Sequence, residues 1–276
     1  MNPRGKASSH AAKLAFIGAG GMAEALIKGL LKAKYPADKI LASDVSAERR
    51  DHLADTYGVK VTADNQEAAD FGETIILAVK PQFMGEATKG LKVKNGRLII
   101  SLAAGITIGY LEKRFKDVSI IRAMPNNPAL VGAGITALAS GLKVGNDQLE
   151  TARRIFGAVG SVVEISENIM DAVTGLSGSG PAFVYLFLEA MVEAGEGLGI
   201  TKSLAEKLAL ETIWGSAETL KLTKKTPREL REMVTSKGGT TQEGLRVLEE
   251  QNFKAALISA ISAAARRAGE LSKEWT

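Results

Sequence analysis

Cysteine is absent from this chain, and histidine occurs at only two of its 276 positions, His10 and His52. Without cysteine there is no disulfide framework, no thiolate-held zinc or iron–sulfur centre and no sulfur nucleophile. The two histidines are too far apart in sequence to share a helical face, so no metal site is expected. A Ser-His-Asp triad would have to take its base from a polar leader or a polar helix. A strong excess of one charge is also missing. The 35 Lys and Arg are interleaved with 31 Asp and Glu, the pattern of a solvated surface, and no nucleic-acid partner is expected. No charge-free apolar stretch reaches about 18 residues, so no membrane span is expected. The leader, residues 1–13, carries Arg4 and Lys6 and lacks the apolar centre of a signal peptide. It reads as a flexible arm, and the expected location is cytoplasmic.

What the chain does have is 45 % hydrophobic residues, enough for a sizeable core, and 29 glycines gathered in discrete clusters. The clusters are Gly18-Ala19-Gly20-Gly21, Gly178-Ser179-Gly180 and Gly238-Gly239. In the first half, short apolar runs alternate with helical patterns. Leu14-Ala15-Phe16-Ile17, Ile40-Leu41-Ala42-Ser43, residues 74–79, 98–102 and 118–122 read as five strands. Strands that are apolar throughout and separated by helices predict a parallel sheet covered on both faces, a doubly wound α/β domain of the Rossmann type. Residues 135–139 and 161–165 extend its edge. After about Asn168 the strand signals cease. Residues 182–192, opened by Pro181, form a helix apolar around most of its circumference, which calls for burial against a second subunit. Further helices are expected at 204–222, 227–234 and 241–271, the last broken near Asn252. The division expected is a leader (1–13), a dinucleotide-binding domain (14–167) and an all-helical dimerisation and substrate domain (168–276).

Gly18-Ala19-Gly20-Gly21-Met22-Ala23 spells G-x-G-x-x-A between a strand and a helix. The first glycine makes the turn, the second admits a pyrophosphate to the backbone, and Ala23 lets the helix pack closely on the sheet. At the end of the second strand, Ser43-Asp44 stands where an adenosine ribose is read. Asp44 as a ribose acceptor favours NADH on electrostatics, while Arg49 and Arg50 could meet a 2′-phosphate. The alternative is that Asp44 is a helix N-terminal residue beside a Ser46 cap. Ala78-Val79-Lys80-Pro81 and Ala103-Ala104-Gly105 close two strands at the end where ligands bind. There Lys80 reads either as a positioning residue or as a solvated turn lysine. Asn126, in Met124-Pro125-Asn126-Asn127-Pro128, either serves a nicotinamide or belongs to a proline-bounded loop. Thr240 to Glu243 spells a capping box. The two glycines before it, with Ser236 and Thr241 nearby, also suit an anion cradle at a helix N-terminus, with a carboxylate as its natural guest.

These residues resemble pyrroline-5-carboxylate reductases. The resemblance rests on the Gly18 turn, Ala78-Val79-Lys80-Pro81, Met124-Pro125-Asn126, the stretch from Thr174 to Ala182 and the loop from Ser236 to Thr241. It implies reduction of L-1-pyrroline-5-carboxylate to L-proline, the last step of proline synthesis, by hydride transfer from NADPH or NADH. It implies a homodimer or a dimer-based oligomer. It implies that Gly238, Gly239, Thr240 and Thr241 hold the substrate carboxylate, that the Thr241 hydroxyl sits near the ring nitrogen, that Ser236 supports the loop, and that Glu167 lies near the ligands. The implied cofactor contacts are Ile17, Gly18, Ala19, Gly20, Gly21, Met22, Ser43, Asp44, Asn65, Ala78, Val79, Lys80, Pro81, Ala103, Ala104 and Asn126. The chain departs from the family pattern at Lys237, where proline is usual, and at Asn127, where threonine is common. Many members prefer NADPH, against the pull of Asp44. Two rival readings are a 3-hydroxyacid dehydrogenase, which would need a lysine where Val184 stands, and a non-catalytic NAD(P)-sensing subunit.

Overall fold

The computed structural model describes residues 11–275. His10 and most of the expected arm lie outside them. Ala12 and Lys13 already belong to the fold. The Ala12 carbonyl accepts the Tyr35 hydroxyl, and the Lys13 carbonyl accepts the N–H groups of Glu73 and Thr74.

The first half runs β1 (Leu14–Ile17), α1 (Gly21–Lys32), β2 (Ile40–Ser43), α2 (Ala47–Tyr57), β3 (Lys60–Thr62), α3 (Asn65–Phe71), β4 (Thr74–Leu77), α4 (Met84–Ala87), β5 (Leu98–Ser101), α5 (Ile108–Arg114), β6 (Ser119–Met124), β7 (Gly134–Ser140), α6 (Asn146–Gly157) and β8 (Gly160–Glu164). The eight strands form one sheet in the order β3-β2-β1-β4-β5-β6-β7-β8. Strand order reverses on either side of β1, and the chain crosses there between the two halves of the sheet. Successive residues of each strand feed opposite faces. Leu14, Phe16, Ile40, Ile76 and Ile100 join one core, while Ala15, Ile17, Leu41, Ile75 and Ile99 join the other. That double burial is why the strands read as unbroken apolar runs.

Two features depart from the expected sheet. β7 pairs with β6 antiparallel, and β8 then runs parallel to β7. The connection from β6 to β7 is a short 3-10 turn, Asn127–Val131, and a parallel return needs a crossover of roughly a dozen residues or more. β3 went unread because it is a three-residue edge strand, partly exposed, with no apolar run to mark it.

The second half is helical: α7 (Met170–Val173), α8 (Gly180–Gly197), α9 (Lys202–Thr223), α10 (Pro227–Met233), α11 (Thr240–Glu250) and α12 (Phe253–Lys273). α10 begins with a complete capping box between Thr226 and Glu229, and Asn252 takes a positive φ of 54° at the break before α12. The chain divides into two compact units, Met1–Gly178 with Ala264–Thr276, and Ser179–Ala263. The border expected at residue 167 thus differs from this division. Residues 167–178 pack on the sheet unit through buried Met170, and Gly175 lies against Ala265 with no room for a side chain.

The helical unit has a small core of its own, Val192, Ala205 and Ala209, flanked by Leu188, Met191 and Ile200. Leu186, Phe187, Trp214 and Leu222 are exposed, Leu186 and Trp214 by about two thirds. Leu186 and Phe187 line an apolar groove of about 790 Å³ together with Phe183, Ile213, Leu248 and Phe253. The helical run Glu167–Gly197 is long and apolar enough to cross a membrane by length and composition. Its charge-free part, between Asp171 and Glu189, stays short of about 18 residues, as expected.

Within the sheet unit, Phe156 is fully buried on α6. Phe156→Ala should lower stability by about 3–5 kcal/mol, read by urea unfolding, because it removes a fully buried aromatic side chain from a packed cluster.

Candidate active site

The glycine turn sits where β1, β2 and β4 end together. Gly18 has φ +97°, and a Cβ there would lie 2.9 Å from the Ala78 carbonyl and the Val79 side chain. Its N–H donates to the Ser43 carbonyl at 2.8 Å, and the Ala78 N–H donates to the Ile17 carbonyl at 2.8 Å. Gly20 and Gly21 face the opposite situation: a Cβ on either would project into open space. Gly20 is the N-cap of α1, so the first-turn N–H groups, including those of Gly21 and Met22, point outward from the positive end of a twelve-residue helix. A bare backbone, an open approach and free donors suit a pyrophosphate.

Asp44 is engaged with the backbone of its own turn. Its Oδ2 accepts the Ala19 N–H at 2.7 Å, and its Oδ1 accepts the Ser46 N–H at 2.9 Å. Ser46 is the N-cap of α2, accepting the Arg49 N–H, as the alternative reading had it. Arg49 reaches back through Nε and Nη2 to the Ala19 carbonyl, at 2.9 and 2.7 Å. The N–H and the carbonyl of Ala19 are therefore both held by side chains from the segment after β2. Arg50 donates to the Asp44 and Val45 carbonyls. Ser43 Oγ donates to Asn65 Oδ1 at 2.7 Å, and Asn65 Nδ2 donates to the Ala87 carbonyl, so Asn65 joins the β2 end to the loop after β4.

Glu24, which sequence reasoning missed, completes this clamp from α1. It accepts from Arg49 at 2.6 Å and from Tyr57 at 2.9 Å, and pairs with His52 at 2.8 Å. Partial burial raises its pKa, but the hydrogen bonds from Arg49, His52 and Tyr57 outweigh that and bring it down to about 2. A Glu in the first turn of α1 opposite Arg and His on α2 was visible in the sequence, but only the fold brings them together.

The other loops at this end are smaller. Ala78 and Val79 are half-buried, Lys80 is exposed, and Pro81 opens a 3-10 turn. Ala103 is buried and Ala104 half-buried after β5. Asn126 Oδ1 accepts the Ile135 N–H at 2.9 Å, tying its loop to β7.

The second constellation lies in the helical unit. The capping box expected from Thr240 to Glu243 is not made. Gly239 is the N-cap of α11, and Thr240 is already helical. Gln242 Oε1 instead accepts the Gly238 N–H at 2.6 Å, and Glu243 pairs with Arg246. A Cβ on Gly239 would stand 2.4 Å from Ser236 Oγ, so a side chain there would displace the Ser236 hydroxyl. The Gly239 N–H donates to the Ser236 carbonyl at 3.1 Å. The donors left open in the cradle are those of the first turn: Thr240, Thr241 and Gln242. Ser236 and Thr240 are exposed, and Thr241 is half-buried.

Glu167, grouped above with the substrate-binding residues, has partners of its own in the sheet unit. Its Oε1 accepts the Ile108 N–H at 2.8 Å at the start of α5, and it pairs with Arg122 at 3.4 Å. Arg122 was also missed, although a lone arginine inside an apolar strand was the signal. Among the described residues no three acidic or histidine side chains are grouped to hold a metal.

The family described as pyrroline-5-carboxylate reductase dimerisation matches residues 167–271, and one described as NADP oxidoreductase, coenzyme F420-dependent, matches residues 13–105. A pyrroline-5-carboxylate reductase of Synechocystis is 48 % identical over 264 residues, covering 95 % of this chain and 99 % of the relative. The structure of such an enzyme from Coxiella burnetii superposes with a TM-score of 0.89 at 39 % identity, over 95 % of this chain and 99 % of the other. A Plasmodium falciparum pyrroline carboxylate reductase with NADP bound gives 0.87 at 32 % identity, over 95 % and 98 %.

Because the Glu24 carboxyl is depressed in the folded state, its stabilising contribution is complete above its ordinary pKa of 4.5 and is lost as pH falls toward about 2. Glu24→Gln should be less stable than wild type at neutral pH, and the gap should close across that acid window in urea titrations.

Proposed function

The chain belongs to the pyrroline-5-carboxylate reductase family, and from that membership we propose how its residues divide the work. It is an NAD(P)H-dependent oxidoreductase that reduces pyrroline-5-carboxylate to proline, a step of proline biosynthesis. The nicotinamide supplies a hydride to the carbon of the cyclic C=N bond. The dehydrogenase and sensor readings are set aside by this membership.

Two observations, one in each unit, support the assignment of sites: an open glycine turn in the sheet unit and an open helix start in the helical unit. Gly20, Gly21 and the first turn of α1 hold the pyrophosphate. Gly18 keeps the turn flat against Ala78 and Val79, and the small residues Ala103 and Ala104 leave room for a planar ring. In the loop from Ser236 to Thr241, the N–H groups of Thr240 and Thr241 grip the substrate carboxylate, Gly238 and Gly239 allow it to approach, and Ser236 shapes the loop. The Thr241 hydroxyl faces the ring nitrogen. A protonated imine is already electrophilic, and hydride addition yields a neutral amine. The chain therefore needs no strong acid at that moment and works chiefly by orienting two rings. This fits a protein with so little histidine.

We propose NADPH as the preferred coenzyme. Each Asp44 oxygen already accepts a backbone N–H, which leaves fewer of its acceptor sites for ribose hydroxyls. Arg50 and the N-terminus of α2 supply positive potential for a 2′-phosphate. This revises the pull toward NADH expected from Asp44.

The chain also self-associates, through the family's dimerisation segment. We propose a homodimer, or an oligomer built from it, in which the exposed apolar residues of α8 and α9 are covered by a second copy. We also propose a cytoplasmic location without membrane or nucleic-acid partners. Its basis is the dispersed charge and the assignment of the apolar helical surface to contact between copies.

Two outcomes test the assignment. Thr241→Ala should lower kcat/KM for the imine by roughly tenfold or more, while NADPH affinity, measured by nucleotide fluorescence, stays nearly unchanged. With both coenzymes assayed at 340 nm, wild type should favour NADPH, and Arg50→Gln should weaken NADPH by about tenfold while leaving NADH nearly untouched.

A further inference from the structure

Ala19 stands between two glycines in the turn after β1 and is fully buried. Glycine on either side leaves its two peptide planes with little steric constraint of their own. Side chains supply the constraint instead. Asp44 accepts the Ala19 N–H, and the Arg49 fork places Nε and Nη2 on the Ala19 carbonyl, at 2.9 and 2.7 Å. That carbonyl shares a planar unit with the Gly20 N–H, and in a trans peptide the two point in opposite directions. A fork that fixes the carbonyl on one side therefore fixes the Gly20 N–H on the other. Gly20 is the N-cap of α1, and a Cβ there would meet nothing within 4 Å. Its N–H belongs to the open start of that helix.

The fork is itself held. Arg49 Nη2 also donates to Glu24 Oε2 at 2.6 Å, while Glu24 Oε1 accepts the Tyr57 hydroxyl and pairs with His52. Arg49, His52 and Tyr57 all stand on α2, so one carboxylate from the first turn of α1 collects three partners from the next helix. A carboxylate in a first turn is otherwise a rival to any anion that seeks the same helix end. Here it is spent on α2. Arg49 and Arg50 are neighbours in sequence with different occupations: Arg49 holds the turn, and Arg50 donates to the Asp44 and Val45 carbonyls.

We infer that Arg49, locked by Glu24, is a positioning residue for the coenzyme as a whole: it sets the Ala19–Gly20 peptide for the pyrophosphate and does not read the 2′-phosphate. The inference rests on the reading of the glycine turn as the pyrophosphate site. The pyrophosphate is common to NADPH and NADH, so Arg49 acts on both alike, whereas Arg50 acts on NADPH. A turn set in advance spares the coenzyme the cost of ordering it on binding, and a turn without its fork does not.

The test uses the full-length protein with Arg49→Met, Arg49→Lys and Glu24→Gln, and Arg50→Gln as the contrast. It measures Kd for NADPH and for NADH by nucleotide fluorescence, and melting temperature. Arg49→Met should weaken both coenzymes by roughly tenfold, with the ratio of the two Kd values within about twofold of wild type. Arg49→Lys keeps the charge without the fork and should fall between. Should Arg49→Met fail to fold, Glu24→Gln, which loosens the fork without removing it, should still weaken both coenzymes by about twofold to threefold. A loss confined to NADPH, as expected for Arg50→Gln, would overturn the inference and make Arg49 a phosphate ligand. A lower melting temperature with both affinities unchanged would also overturn it and leave the clamp a matter of packing. A wild type that binds neither coenzyme would overturn the reading of the glycine turn itself.

Discussion

Gly18 approaches the Ala78 carbonyl so closely that any side chain would force β1 away from β4. The ends of β1, β2 and β4 converge on that contact, and it is the point from which α1 departs with its donors facing outward. The clamp on Ala19, the linkage of Ser43 to Asn65 and the turn at Pro81 are all arranged around it. The coenzyme turn is thus a backbone surface, made available by a missing side chain and stiffened by neighbouring ones. Positive φ and close contact at one residue explain why the position takes glycine.

The clamp changes the meaning of the acidic residue after β2. A carboxylate at that place ordinarily reads ribose hydroxyls. Here it reads the chain's own backbone, and Arg49 binds the other side of the same residue while Glu24 holds Arg49. The charges Glu24, Asp44 and Arg49 are engaged with one another or with peptide groups. On the proposed NADPH reading, the sugar end of the coenzyme would meet Arg50 and carboxylates already engaged with the protein.

The helical unit makes sense only as part of an assembly. Three buried apolar residues cannot support 85 residues of helix. Its apolar surface passes for a membrane span by composition, yet it belongs to the dimerisation family. The same unit carries the loop from Ser236 to Thr241. The surface that completes the core by association thus lies on the unit assigned to gripping the substrate carboxylate.

By itself the sequence determined the strands β1, β2, β4, β5 and β6, the glycine turn, the helical second half and the break at Asn252. It did so because burial on both sheet faces, turn glycines and helix stops leave local patterns. The resemblance carried by the Gly18 turn and the Ser236 loop pointed to the family. Only the tertiary structure decided that β7 runs antiparallel, that Gly239 rather than Thr240 caps α11, that Asp44 holds Ala19, and that Arg122 faces Glu167 and Asp171. Those outcomes turn on which side chains meet across 25 residues, as Ala19 and Asp44 do, or across 101, as Asp171 and Ser272 do. A local pattern records whether a residue is buried. The partner it finds there is set by how the whole chain closes.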